Sequence, residues 1–123
     1  MMSLRTIRLL FGAALVAVLV ASLWPAREPL PLGTGWDKAD HVVAFVALGL
    51  LGLLSWSAQR ARVLAGLLAY GVWIEVLQGF TVYRQADWHD VVADAIGLAL
   101  ATLILALATL ILAAWRGRRV VVR

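Results

Sequence analysis

The chain contains no cysteine, which excludes disulfides, thiol nucleophiles and thiolate-ligated metals together. Charge is also scarce. Asp, Glu, Lys and Arg make up 15% of the 123 residues, against about 25% in an average soluble domain. Proline occurs three times, all between Pro25 and Pro31. What replaces charge is hydrocarbon: 63% of the residues are hydrophobic and the mean hydropathy is +0.92. The apolar residues come in blocks too long for the single core that a soluble chain of this size can build. The bilayer is therefore the expected solvent. The net charge of +4 does not indicate a nucleic-acid partner, because the basic residues flank apolar runs and do not interleave with aromatics on a basic surface.

A spanning helix needs about 20 largely apolar residues. Four segments meet or approach that length: Ile7–Trp24, Val42–Ala58, Val63–Val82 and Val91–Trp115. The second is short and is expected to begin near Asp37. With their flanking polar turns the four spans are read as 7–24, 38–58, 63–82 and 90–115. The first connection, "PAREPLPLGTGWDKAD", holds the three prolines and two glycines and is irregular; "QRAR" and "YRQADWHD" are short enough to force antiparallel neighbours. The fold class expected is all-α, a polytopic membrane protein built as a four-transmembrane-helix bundle. No internal repeat or low-complexity linker divides the chain, so one domain over 1–123 is expected.

Orientation follows from the basic residues, which concentrate in short cytoplasmic segments. Arg5, Arg8, Arg60, Arg62, Arg116, Arg118, Arg119 and Arg123 fall on one side, and Arg27, Lys38 and Arg84 on the other. Both termini are therefore expected in the cytoplasm. Trp24, Trp36, Trp56, Trp88 and Trp115 lie near span ends, where amphipathic rings prefer to sit; Trp73 lies deep. A cleaved signal peptide competes for the first run, but "SLWPAR" lacks the small-x-small pattern that a signal peptidase requires, which favours an uncleaved anchor.

All seven acidic residues and both histidines fall on the side away from the eight basic residues, or in that half of the membrane. Asp37 and His41 are four residues apart, Glu75 and Gln78 three, Asp90 and Asp94 four. On a helix each spacing puts the pair on one face. His41, Glu75 and Asp94 are thus expected at comparable depth, with Arg84 above them in the third connection. Several of these residues also have plainer roles. Asp37 and Asp87 suit helix N-termini; Lys38, Asp40 and His89 suit a solvated loop; His41 can be a packed histidine; Gln78 can join helices. Glu75 is harder to assign this way, since no capping role is expected two turns inside a span, and a carboxylate in hydrocarbon costs about 2.5–3.5 kcal/mol on insertion scales. Arg84 is its expected partner. Gly49, Gly52, Ser55, Gly66, Gly71, Gly97 and Ala101 are expected to allow close helix approach.

The stretches "DKADHVVAF", "EVLQGFTVYR" and "DWHDVVADAIG", in that order, resemble the VanZ-like family of small bacterial membrane proteins. Asp37, Lys38, His41, Phe45, Glu75, Gln78, Arg84, Asp90 and Gly97 occupy the positions of the family pattern, and the resemblance runs over about residues 34–100. Asp94 departs from it, standing where the family more often has asparagine and so changing the charge balance. The family takes its name from a protein associated with resistance to the glycopeptide teicoplanin, which points to the cell envelope and the bacterial cytoplasmic (inner) membrane. The resemblance implies no particular reaction.

Three functions compete. The first is an outward-facing polar site that binds or acts on an anionic lipid headgroup or envelope precursor. In it His41, Glu75 and Asp90 are candidates for proton exchange, and Asp37, Lys38, Gln78, Arg84 and Asp94 hold the ligand. The second is a structural or accessory role in a larger envelope complex. The third is a proton or ion pathway, which the apolar inner halves of the third and fourth spans disfavour. No cofactor is implied. No metal site is assigned either, because no standard ligand motif such as His-Glu-x-x-His occurs, although a mixed His and carboxylate set can hold a divalent cation.

Overall fold

Four apolar runs become four helices in the computed structural model, which describes residues 2–25, 33–34 and 36–121, with side chains through Arg118. α1 spans Leu4–Ser22, α2 Asp37–Ser55, α3 Arg60–Gly79 and α4 Trp88–Val121, with a single 3-10 turn at Ser57–Gln59 between α2 and α3. No strand occurs among the described residues. All four helices are long and apolar enough to cross a bilayer, so the protein is an all-α, multi-pass membrane bundle. α1 starts three residues before the expected Ile7 because Ser3 caps it, its hydroxyl accepting the Thr6 N–H at 3.1 Å. α3 stops at Gly79, short of the expected Val82. There the chain turns, and the Thr81 hydroxyl donates to the Gln78 carbonyl at 2.8 Å.

Three helices carry matching buried stripes. In α2 the stripe includes His41, Phe45, Leu48, Gly49 and Gly52; in α3 Leu67, Gly71, Ile74, Glu75 and Gln78; in α4 Asp90, Ala93, Asp94, Gly97, Leu98 and Ala101. Steps of three and four keep each stripe on one helical face. Phe45, Leu48, Leu67 and Leu98 meet at the centre, and Phe11, Leu15 and Val18 of α1 pack against them. α1 itself buries no residue fully. It lies along α2, where the Phe11 and Trp56 rings meet edge-on at 5.4 Å.

The most extensive contact joins α2 to α4. A Cβ placed on Gly97 would sit 2.6 Å from the Val42 carbonyl oxygen, and one on Gly49 would sit 2.7 Å from the Ala101 Cβ. Because Val42 precedes Gly49 as Gly97 precedes Ala101, the two helices run parallel. Lipid tails are as apolar as leucine, so helices gain here from close van der Waals contact and not from escape from water. Gly66 is a correction: a Cβ built on it meets no neighbouring helix within 4 Å, since it borders an open groove lined by Phe11 and Leu15 of α1.

At one end of the bundle Arg8 donates to the Ser55 carbonyl at 3.3 Å and stacks over the Trp56 ring at 5.1 Å. A cation thus meets the negative end of the α2 dipole. Arg5, Arg60, Arg62, Arg116 and Arg118 belong to the same end by helix direction. Arg27, Arg119 and Arg123 lie outside the residues whose side chains are described.

Candidate functional site

The parallel run of α2 and α4 brings two helix N-termini side by side at the other end. Two adjacent positive dipole ends repel each other and attract carboxylates, and the sequence supplies Asp37 and Asp40 in the first turn of α2 and Asp90 in that of α4. Asp87, just before α4, accepts the backbone N–H of His89 at 2.9 Å, as a capping residue does. It also accepts from Lys38 at 2.8 Å, and the same ammonium reaches Asp90 Oδ1 at 2.9 Å. The Lys38 ammonium, helped by the His89 N–H, holds the Asp87 carboxyl well below the usual carboxylate range. Lys38 is therefore a bridge between helices, not a loose loop residue.

One turn deeper, His41 Nδ1 and Asp94 Oδ1 are 2.8 Å apart, with His41 7% and Asp94 0% exposed. An ionised carboxylate only accepts, so Nδ1 carries the proton toward Asp94, and Nε2 offers a lone pair when the imidazole is neutral. Nε2 lies 3.7 Å from Asp90 Oδ2, too long for a hydrogen bond. The second Asp94 oxygen is buried without a partner. It occupies space that a Cβ on Gly71 would fill, so the glycine of α3 is what admits this carboxylate.

Arg84 and Glu75 part company, contrary to the pairing expected from sequence. Arg84 Nη1 binds Asp37 Oδ1 at 2.9 Å and its Nε donates to the Trp24 carbonyl at 3.1 Å. Asp37 thus serves as a counter-ion, and α2 has no side-chain cap bond. Glu75 Oε2 accepts the backbone N–H of Asp87 at 2.8 Å, while Oε1 is buried without a partner. A capping role does reach Glu75, because the α3–α4 connection folds back to meet it. Gln78 donates to the Ser22 carbonyl at 2.9 Å and joins α3 to the end of α1. Asp40 accepts the Thr34 N–H at 2.7 Å. His89 is exposed; it stacks on Trp88 at 3.8 Å and bonds Asp87 at 2.7 Å.

A cavity of about 290 Å³ opens beside this cluster, between α1 and α2. Ala17, Val18, Ala21, Ala44 and Phe45 form its apolar walls, and Asp37, Asp40, His41 and Arg84 its polar side. Of the residues expected at the site, Asp37, His41 and Arg84 line the cavity. Lys38, Asp90 and Asp94 are bonded to one another or to His41, and Glu75 and Gln78 serve the chain connections. Sequence reasoning missed the α1 wall, whose only signal is small residues four apart at Ala17 and Ala21, and it left Asp87 as a simple cap. The structure also gathers what the sequence spacing did not: one ligand atom each from Asp37, His41 and Asp90, all within 4.8 Å of one another.

Four apolar helices with a buried polar cluster at one end define a small polytopic membrane protein. The family model described as VanZ/LLP1 matches residues 2–111, and the chain belongs to that family. No curated protein and no solved structure matches it.

Proposed function

We propose that this protein binds an anionic amphiphile, a lipid headgroup or an envelope precursor, at the outer face of the bacterial cytoplasmic membrane, with both of its own termini in the cytoplasm. The observation that carries the reading is the cavity between α1 and α2, apolar on its walls and lined by Arg84 and His41 on its polar side. Arg84 presents a planar fork suited to phosphate or carboxylate, and among the described residues its Nη2 makes no bond. Ligand pockets run from about 300 Å³ upward, so a cavity of about 290 Å³ suits a headgroup and the first methylenes, not a whole lipid. The orientation is supported by the arginines gathered at the opposite end, since short basic segments stay cytoplasmic. Binding is the claim; His41, Glu75 and Asp90 are the groups that would exchange protons if a reaction follows. An ion pathway is opposed by the apolar cluster of Phe45, Leu48, Leu67 and Leu98 beneath the site.

A second reading, an accessory subunit of a larger envelope complex, draws on one feature: residues 106–118 of α4 are all exposed. The two separate by mass spectrometry of the protein extracted in native membrane discs. The first reading expects a phosphate- or carboxylate-bearing amphiphile retained by the wild type and lost from Arg84→Gln. Equal retention by both, or an amphiphile-free complex with a second protein, sinks it.

A further inference from the structure

We propose that Asp37, His41 and Asp90 form a site for one divalent transition-metal ion of zinc type. The first support is orientation. Metal-binding histidines almost always donate their other ring N–H to a carboxylate or carbonyl, which fixes the tautomer and aims the free nitrogen. His41 has that arrangement: Nδ1 is held by Asp94 at 2.8 Å, and Nε2, on a side chain only 7% exposed, points toward Asp90 with no hydrogen-bond partner among the described residues.

The second support is how the two carboxylates are held. Asp90 gives Oδ1 to Lys38 at 2.9 Å and turns Oδ2 toward His41. Asp37 gives Oδ1 to Arg84 at 2.9 Å and still brings one oxygen within 4.8 Å of the His41 and Asp90 ligand atoms. Each acid is thus anchored by a cation, Asp90 with its second oxygen turned to His41. The three ligand atoms lie within 4.8 Å of one another. Bonds of about 2.0–2.2 Å in a tetrahedral zinc site set ligand atoms about 3.3–3.6 Å apart. The His41–Asp90 separation of 3.7 Å nearly meets that spacing, and Asp37, exposed in the first turn of α2, closes the remainder by a side-chain rotation.

Charge supplies the third support. Among the described residues, six carboxyl groups, at Asp37, Asp40, Glu75, Asp87, Asp90 and Asp94, gather around two cations, Lys38 and Arg84. A divalent ion offsets part of that excess, and bound ions are often the largest local charge in such sites. One imidazole with two carboxylates suits zinc, and manganese more weakly, whereas magnesium and calcium favour oxygen-only sets. The inference rests on the amphiphile reading only for its use: the ion's remaining position would face the cavity and meet an anionic headgroup.

The test is metal binding by the full-length protein in discs of purely zwitterionic lipid, with no amphiphile added, so that it succeeds or fails independently of headgroup retention. Zinc is titrated in competition with a chromophoric chelator, and manganese and magnesium are titrated in parallel. One zinc per chain is expected, manganese weaker and magnesium absent. His41→Gln should lose affinity by more than the about 10–100-fold that removing an orienting partner costs, and Asp94→Ala by about that amount. Asp37→Asn, which weakens a direct ligand at an exposed position, should lose at least as much affinity as Asp94→Ala. Zinc binding unchanged in both Asp37→Asn and His41→Gln overturns the site. So does a wild type that holds no zinc, the result expected if a proton on His41 alone balances the cluster.

Discussion

The two parallel helices α2 and α4 are held together by opposite means along their length. Toward their N-termini the contact is polar: His41 with Asp94, and Lys38 with Asp87 and Asp90. A turn or two further on it is bare backbone and methyl groups: Gly97 against the Val42 carbonyl, Gly49 against Ala101. The apolar stretch tolerates no added atom but asks for no particular partner chemistry. The polar stretch needs specific partners, because a buried polar group left alone costs about 1–3 kcal/mol. Close fit sets how near the helices come, and the polar pairs set which residues face each other.

The largest expected effect comes from breaking the apolar contact. Gly97→Leu should cost about 3 kcal/mol, the upper end for overpacking, since its neighbours include backbone that cannot swing aside. Gly66→Leu, placed on an open face, should stay within about 0.5 kcal/mol. Thermal unfolding in detergent compares them, and equal losses would erase the distinction. Next in size is the polar contact. A double-mutant cycle of His41→Ala and Asp94→Ala should give a coupling of about 0.6–1.7 kcal/mol, the range for hydrogen bonds between membrane helices. Strict additivity would mean that the pair does not act as a unit.

The smallest effect is at the rim. The Asp87 carboxyl is held below its ordinary value by Lys38 first and the His89 N–H second. Its contribution to stability is therefore present above about pH 4, the unfolded value, and is lost as pH falls further toward the folded one. The stability difference between wild type and Asp87→Asn should be flat from about pH 7 to 5 and shrink steadily below about pH 4. A difference that instead grows on acidification would reverse the sign and exclude the Lys38 bridge as its source.

Much of this was legible in the sequence because the bilayer simplifies the problem. Hydrocarbon length alone marked four spans, and the four-residue steps from Asp37 to His41 and from Asp90 to Asp94 put each pair on one helical face, with His41, Asp90 and Asp94 buried and Asp37 exposed at the rim. Which acid meets which base was not legible. Arg84 chose Asp37 over Glu75, and Glu75 met a backbone N–H, because the path of the third connection is set by tertiary packing and not by helical period. The glycines divide for the same reason. Gly71 and Gly66 both sit in α3, and only the buried stripe running from Leu67 to Gln78 tells which one faces a neighbour.

α4 has 34 residues, about 50 Å of helix at about 1.5 Å per residue, in a hydrocarbon layer of about 30 Å. Its surplus must be met by tilting, by turns that project beyond the lipid, or by local thickening of the membrane. Tilt is not free to act on α4 alone. The glycine contacts pack it closely against α2, so a lean of α4 in a thinner membrane would also bear on the N-terminus of α2 and the cluster from Asp37 to Asp94. The length of α4 thus ties the fit of the bundle to the bilayer to the packing at its polar end.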